Sequence, residues 1–254
     1  MNGPGHAVMG ASFGTFASVM TTGTIDLQMI AISTIATSFA DFDTGSKVRN
    51  KLSGNPLRTK IALIIMGLAS TVYHFMHSSS FSLSTLASVV IVMIGLLMSP
   101  TQAKKAFFNV IAGVIGFTGI YYHQYWVTGL AVFIAIAPHT AHRTWTHSIW
   151  ALMAMYFIFH GAEQAGVKGA LIAGMAGYIS HIVADMFTVS GVKLFYPIID
   201  KNFGFKIMHS NQLWLQWGII GATIVAFIGI LLITGKLDGI LNHPVVKVIA
   251  MGDL

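Results

Sequence analysis

A chain of 254 residues with 55% hydrophobic and only 9% charged side chains cannot cover itself with a water-facing surface. Its net charge of +6 would suit nucleic acid, but the basic residues fall in short gaps between apolar runs, where they meet anionic lipid headgroups. There is no cysteine, so disulfides and thiolate metal sites are excluded and any metal must be held by His, Asp or Glu.

The opening Met1-Asn-Gly-Pro-Gly-His6 carries no Lys or Arg before the first apolar run, which makes it a poor cleavable signal peptide; it is expected to stay. Apolar runs then follow at residues 7–22, 25–40, 61–75, 83–98, 107–121, 126–137, 149–159, 169–187 and 214–234. A bilayer core takes about 20 helical residues, fewer where a helix enters only partway. The expectation is an all-α, polytopic transmembrane helical bundle of about nine membrane-embedded helices, forming one integral membrane domain over residues 1–254.

Counting crossings from a cytoplasmic N-terminus puts the gaps 41–60, 99–106, 138–148 and 188–213 on one side. Of the 14 Lys and Arg, all but Lys168, Lys236 and Lys247 fall there, and the positive-inside bias marks that side as cytoplasmic. The C-terminus is then external, although residues 240–251 could lie along the interface. Tyr121, Tyr122, Tyr125 and Trp126 cluster at one outer turn, where amphipathic rings favour the headgroup level.

The polar residues follow in chain order. His6 precedes the first span. Asp41 and Asp43, in Ala-Asp-Phe-Asp-Thr-Gly-Ser, aim two carboxylates the same way if the backbone is extended; the alternative is a polar helix end finished by Gly45. Residues 138–148 hold His139, His142, Arg143 and His147. The spacing puts His142 in a loop and His147 in a first helical turn that Thr146 could cap. Arg143 suits a phosphate oxygen, or serves as a positive-inside anchor. His181 and Asp185, four apart, stack on one helical face, where they share an ion or form an interhelical hydrogen bond. His74, His77, His123, His160 and Glu163 are assigned to outer ends, and His139 and His209 have no spaced partner.

Residues from position 6 to 185 therefore map to one membrane face. Their imidazoles and carboxylates exceed what one four-coordinate ion uses, so one or two divalent ions are expected. With nitrogen and oxygen ligands, Zn²⁺, Mn²⁺ and Fe²⁺ all fit. The expected metal ligands are His6, Asp41, Asp43, His147, His181 and Asp185, with Arg143, Asp43 and His142 acting on the substrate.

At these residues the chain resembles the YdjM-like family of bacterial inner-membrane, metal-dependent hydrolases. The resemblance rests on Gly5-His6, Asp41-Phe42-Asp43 with Ser46, His142-Arg143 with Thr146-His147-Ser148, and Gly177-Tyr-Ile-Ser-His181-Ile-Val-Ala-Asp185-Met-Phe-Thr188 with Gly191 and Pro197. Asn211-Gln212-Leu213 adds a further match. Thr44, Thr144 and Trp214 depart from the His, Gly and Glu that the family usually places there. The resemblance implies Zn²⁺ above the other ions, an inner-membrane location, and a four-helix insertion over residues 50–137. A site on the cytoplasmic face favours a lipid or phosphoester substrate among membrane lipids, with no nucleic-acid role. The alternatives are a metal-ion or proton-coupled transporter using the same residues, and a noncatalytic membrane protein with a structural metal.

Overall fold

In a computed structural model, residues 1–43, 55–77 and 83–237 are described, and among them the chain is helical with no strand longer than an isolated bridge. Thr44 and Ser46 of the motif, the basic residues Lys47, Arg49, Lys51 and Lys247, and the interfacial stretch 240–251 lie outside the described residues.

The first helix, α1, runs Gly3–Thr22, starting earlier than the apolar run because Asn2 accepts a hydrogen bond from the Gly5 amide and Pro4 favours the first turn. Helix α2, Leu27–Ala36, is capped by Asp26, which accepts from the Gln28 and Met29 amides. It stops short of the expected end, and a 3₁₀ turn, Phe39–Phe42, carries the chain on. Then come α3 (Pro56–His77), α4 (Leu83–Leu97), α5 (Pro100–Tyr121) and α6 (Tyr125–Ile136). Two further 3₁₀ turns, Ala137–His139 and Trp145–His147, lead to α7 (Ile149–Gln164), α8 (Ala170–Met186) and α9 (Leu213–Ile233).

Helix α8 is the centre of the bundle, packed by α1, α2 and α7, while α9 rests on α1. Small residues make the approach close: Gly10 and Gly14 of α1 face Thr37, Ser33 and Ile30, and the Ser33 hydroxyl donates to the Gly10 carbonyl at 2.7 Å. This is how helices associate where lipid removes the hydrophobic drive. The tightest point is Gly177, where an added Cβ would lie 2.0 Å from the Ser33 carbonyl oxygen. Gly177→Ala is therefore expected to push α2 off α8 and to destabilise the protein by roughly 1–3 kcal/mol or more. The thermal midpoint of the detergent-purified protein checks this, with the exposed Gly218→Ala, which meets nothing within 4 Å, as the comparison.

Helices α3 to α6 form a side lobe in which α3 pairs with α4 and α5, α5 with α6, and α6 with α7. Phe108 of α5 meets Phe42 with ring centroids 5.9 Å apart, joining the lobe to the 3₁₀ turn that carries Asp41.

Among the described residues, two helices are long and apolar enough to cross a membrane: Lys60–His77 and Leu213–Ile233, with mean hydropathy 1.2 and 2.2. Only 11% and 17% of their residues are buried. A soluble core helix would bury most of its length, whereas these expose Phe75, Met76, Val225 and Ile233. The remaining expected runs are shorter or less apolar. Helix α2, at 10 residues, extends about 15 Å and reaches only part of the way through a ~30 Å core.

Candidate metal centre

One end of the bundle gathers the polar residues. There α1 begins, α2 ends, α7 begins and α8 ends, so His6, the 3₁₀ turn with Asp41, the loop before Ile149 and the last turns of α8 meet. His6, Asp41, Asp43, His142, Arg143, His147, His181 and Asp185 all lie in this cluster. His74, His77, His123, His160 and His209 do not join it. His139 pairs instead with Asn109, and Glu163 accepts from the Gly169 and Leu171 amides, fastening the start of α8.

Asp185 is the hub. Its Oδ1 faces His6 Nε2 at 3.3 Å, and the Met1 amino group lies against the same oxygen. Its Oδ2 faces Arg143 Nε at 3.0 Å, His147 Nε2 at 3.5 Å and His181 Nε2 at 3.9 Å. The four-residue spacing thus does bring His181 and Asp185 onto one face. The His6 and His181 rings stack at 3.7 Å, which sets their edges side by side.

Asp43 is the second anchor. Fully buried, it takes His142 Nδ1 at 2.8 Å on one oxygen, and the Arg143 amide at 3.0 Å and Thr146 hydroxyl at 2.9 Å on the other. Asp41 points toward His181, 3.8 Å away. The two carboxylates converge from a 3₁₀ turn followed by one extended residue, Asp43, rather than from a backbone extended throughout; Gly45, the alternative helix end, lies outside the described residues.

The loop 138–148 also differs from expectation. His147 sits in the 3₁₀ turn before α7, and the cap is Ser148, which accepts from the Ala151 amide. Thr146 is thereby released for the site: its one proton goes to Asp43, so it can only accept from His147 Nδ1 at 3.0 Å. That donor assignment leaves the other nitrogen, His147 Nε2, with its lone pair turned inward. The Tyr178 hydroxyl donates to the Thr146 carbonyl and holds the turn from behind.

Arg143 has φ 61, a left-handed conformation that costs a non-glycine residue roughly 1–2 kcal/mol. Its amide bond to Asp43 holds it there, and its guanidinium also donates to Thr188 at 2.8 Å. Thr144, where a Gly is usual, is accommodated at negative φ with its hydroxyl on the Ala141 carbonyl. Trp214 is exposed and away from the cluster.

Sequence reasoning missed Thr146, Thr188, Tyr178 and Gln216 as members of the supporting shell. Gln216, buried in α9, accepts from the Asn2 amide at 3.1 Å and so seats the start of α1 that carries His6. Thr146, Tyr178 and Thr188 were visible as motif positions, but no spacing rule could have linked Gln216 to residue 2.

Seven buried side-chain nitrogens and oxygens have no hydrogen-bond partner among the described residues, and four of them are His6 Nδ1, His147 Nε2 and both nitrogens of His181. Leaving such groups unpaired costs about 1–3 kcal/mol each, so their concentration around carboxylates fits residues arranged for a cation. Among the described residues, three triads have ligand atoms all within 4.8 Å of one another: His6, His181 and Asp185; Asp41, His147 and His181; and Asp41, Asp43 and His142. At His142 burial pushes the pKa down, but the hydrogen bond and negative charge of Asp43 outweigh it and hold the imidazole above its usual range.

The family described as YdjM inner membrane protein matches residues 1–244. YvsG of Bacillus subtilis (strain 168) is 39% identical over 57 residues, 22% of this chain and 34% of that protein. The inner membrane protein YdjM of Escherichia coli (strain K12) is 40% identical over 65 residues, 24% of this chain and 33% of that protein. The chain thus spans about a third of the length of these curated relatives. No solved structure matches.

Proposed function

This chain belongs to the YdjM inner membrane protein family, and on that premise we propose that it is a multi-pass, metal-dependent hydrolase of a phosphoester or lipid-linked substrate, with its site on the cytoplasmic face. The observation that carries the reading is the pair of buried imidazole nitrogens, His147 Nε2 and His181 Nε2, that stand 3.5 and 3.9 Å from Asp185 with no hydrogen-bond partner among the described residues. A neutral buried imidazole without a hydrogen bond is a poor structural element and a good cation ligand.

A divalent ion held there would supply an activated water and polarise a phosphoryl oxygen. The protein's own residues do the rest. His6, Asp41, Asp43, His147, His181 and Asp185 are set to hold the ion, with Thr146 fixing which His147 nitrogen faces it. His142, the most exposed of the cluster's histidines with 39% of its side chain open and paired to Asp43, stands at the edge of the site where a substrate would arrive. Arg143 sets a planar, permanently charged group where negative charge would develop on a phosphoryl oxygen. The position of all these groups at one end of the bundle, not at mid-depth in several helices, favours an enzyme over a transporter.

The test has two halves. Elemental analysis of the detergent-purified protein is expected to find a retained divalent ion, and a panel of phosphoesters and lipid-linked phosphates is expected to yield hydrolysis that a chelator abolishes and the ion restores. Retained metal with no hydrolysis, together with ion flux into sealed liposomes, would replace this reading by the transporter.

A further inference from the structure

We infer that the cluster forms two unequal cation positions: a closed, nitrogen-rich one from His6, His181 and Asp185, suited to Zn²⁺, and an open, oxygen-rich one from Asp41, Asp43 and His142, suited to Mn²⁺. This rests on the metal reading above and adds how the ligands divide, which metal each set prefers and on which side the substrate arrives.

The division follows from distance and burial. Within each triad the ligand atoms lie within 4.8 Å of one another. His6, His181 and Asp185 are buried at 4%, 0% and 1% exposure. In the other triad the His142 and Asp41 side chains are 39% and 15% exposed, with Asp43 closed behind them. Asp41 also groups with His147 and His181, so its carboxylate stands between the two positions. His147 spans them too, 3.7 Å from Asp43 and 3.5 Å from Asp185. The independent sign of a ligand is that His147 Nε2 and His181 Nε2, both fully buried, stand 3.5 and 3.9 Å from Asp185 Oδ2 and have no hydrogen-bond partner among the described residues.

Ligand chemistry separates the two. Two imidazoles and one carboxylate suit Zn²⁺ or Fe²⁺, whereas two carboxylates and one imidazole suit a harder ion such as Mn²⁺. Exposure then decides the traffic. Only the open set can present a water to an arriving substrate, and Arg143, whose amide shares Asp43 with His142, borders that side. The closed set exchanges slowly because its ligands are sealed by α1 and α8.

The experiment uses the full chain in detergent, stripped of metal, loaded with Zn²⁺ and desalted, then titrated with Mn²⁺ while the free Mn²⁺ resonance is followed by electron paramagnetic resonance. Wild type is expected to keep one Zn²⁺ and to bind one weaker Mn²⁺ without releasing it. His142→Ala should weaken Mn²⁺ binding by about tenfold or more and leave Zn²⁺ in place, while His6→Ala should lose Zn²⁺ first. His142→Asn and His6→Asn replace any alanine variant that fails to elute as a folded monodisperse species. Displacement of Zn²⁺ by Mn²⁺ one for one, or equal loss of both ions in both variants, overturns the division while leaving a single metal site standing. If wild type retains neither ion, the metal reading falls and the division with it.

Discussion

Asp185→Ala is expected to abolish tight retention of divalent metal and to lower the unfolding midpoint of the protein. The carboxylate is buried against Arg143, His6, His147 and His181, so its removal takes a ligand from the cluster and the counter-charge that pairs with the Arg143 guanidinium among the described residues. Breaking a buried ion pair from one side costs about 3–5 kcal/mol, because the remaining charge stays buried. Asp185→Asn separates the two effects: it keeps shape and hydrogen bonding but not charge, so metal should be lost while more of the stability survives. His181→Ala is expected to lose metal with a smaller stability change, since neither ring nitrogen has a hydrogen-bond partner to forfeit. His160→Ala, whose ring meets Gln164 and Tyr156 far from the cluster, should leave both quantities unchanged. Full metal occupancy in Asp185→Asn would take Asp185 out of the ligand set.

Arg143→Lys is expected to retain metal and lose turnover by about two to three orders of magnitude, the usual penalty for removing one charged donor to a developing oxyanion. The structure sharpens the reason. The guanidinium places Nε 3.0 Å from Asp185 in an ion pair and donates from Nη1 to Thr188 at 2.8 Å, so its position depends on two separate nitrogens of one rigid fork. A lysine ammonium keeps the charge but cannot hold that fork. Backbone strain does not confuse the comparison, because Lys and Arg tolerate the left-handed φ of 61 equally poorly. An anchor role predicts the reverse, with Arg143→Lys unaffected and only Arg143→Ala impaired. Undiminished hydrolysis in Arg143→Lys, on whatever substrate the panel yields, would sink the catalytic assignment of this residue.

Much of the site was legible because its residues are anomalies in their setting. In a chain with 9% charged residues, a His and an Asp four apart in an apolar helix have few reasons to be there beyond a cavity, a partner or an ion. The count of Lys and Arg then sorted helix ends into two groups without any contact information, and that sorting sent His6, the Asp pair, the 138–148 loop and the end of α8 to the same end, where the structure brings them together. Local conformation was less legible. Nothing in Phe39-Ala-Asp-Phe announced a 3₁₀ turn, and Ser148 competes with Thr146 for the cap on nearly equal terms. Tertiary demand decided the second case, because Asp43 needs the Thr146 hydroxyl.

By itself, then, the sequence determined the helical, largely apolar character of the chain and the helical face shared by His181 and Asp185, since both follow from composition and from a repeat of 3.6 residues per turn. Only the tertiary structure decided which atoms meet. The Asp43 contacts to His142, Arg143 and Thr146 join positions 99 to 103 residues apart. They depend on how closely α2 can approach α8 at Gly177, on the α9 glutamine that seats the start of α1, and on a 3₁₀ turn that swings two carboxylates into one space. Those are distances between surfaces packed at van der Waals contact, and a pattern along the chain carries no record of them.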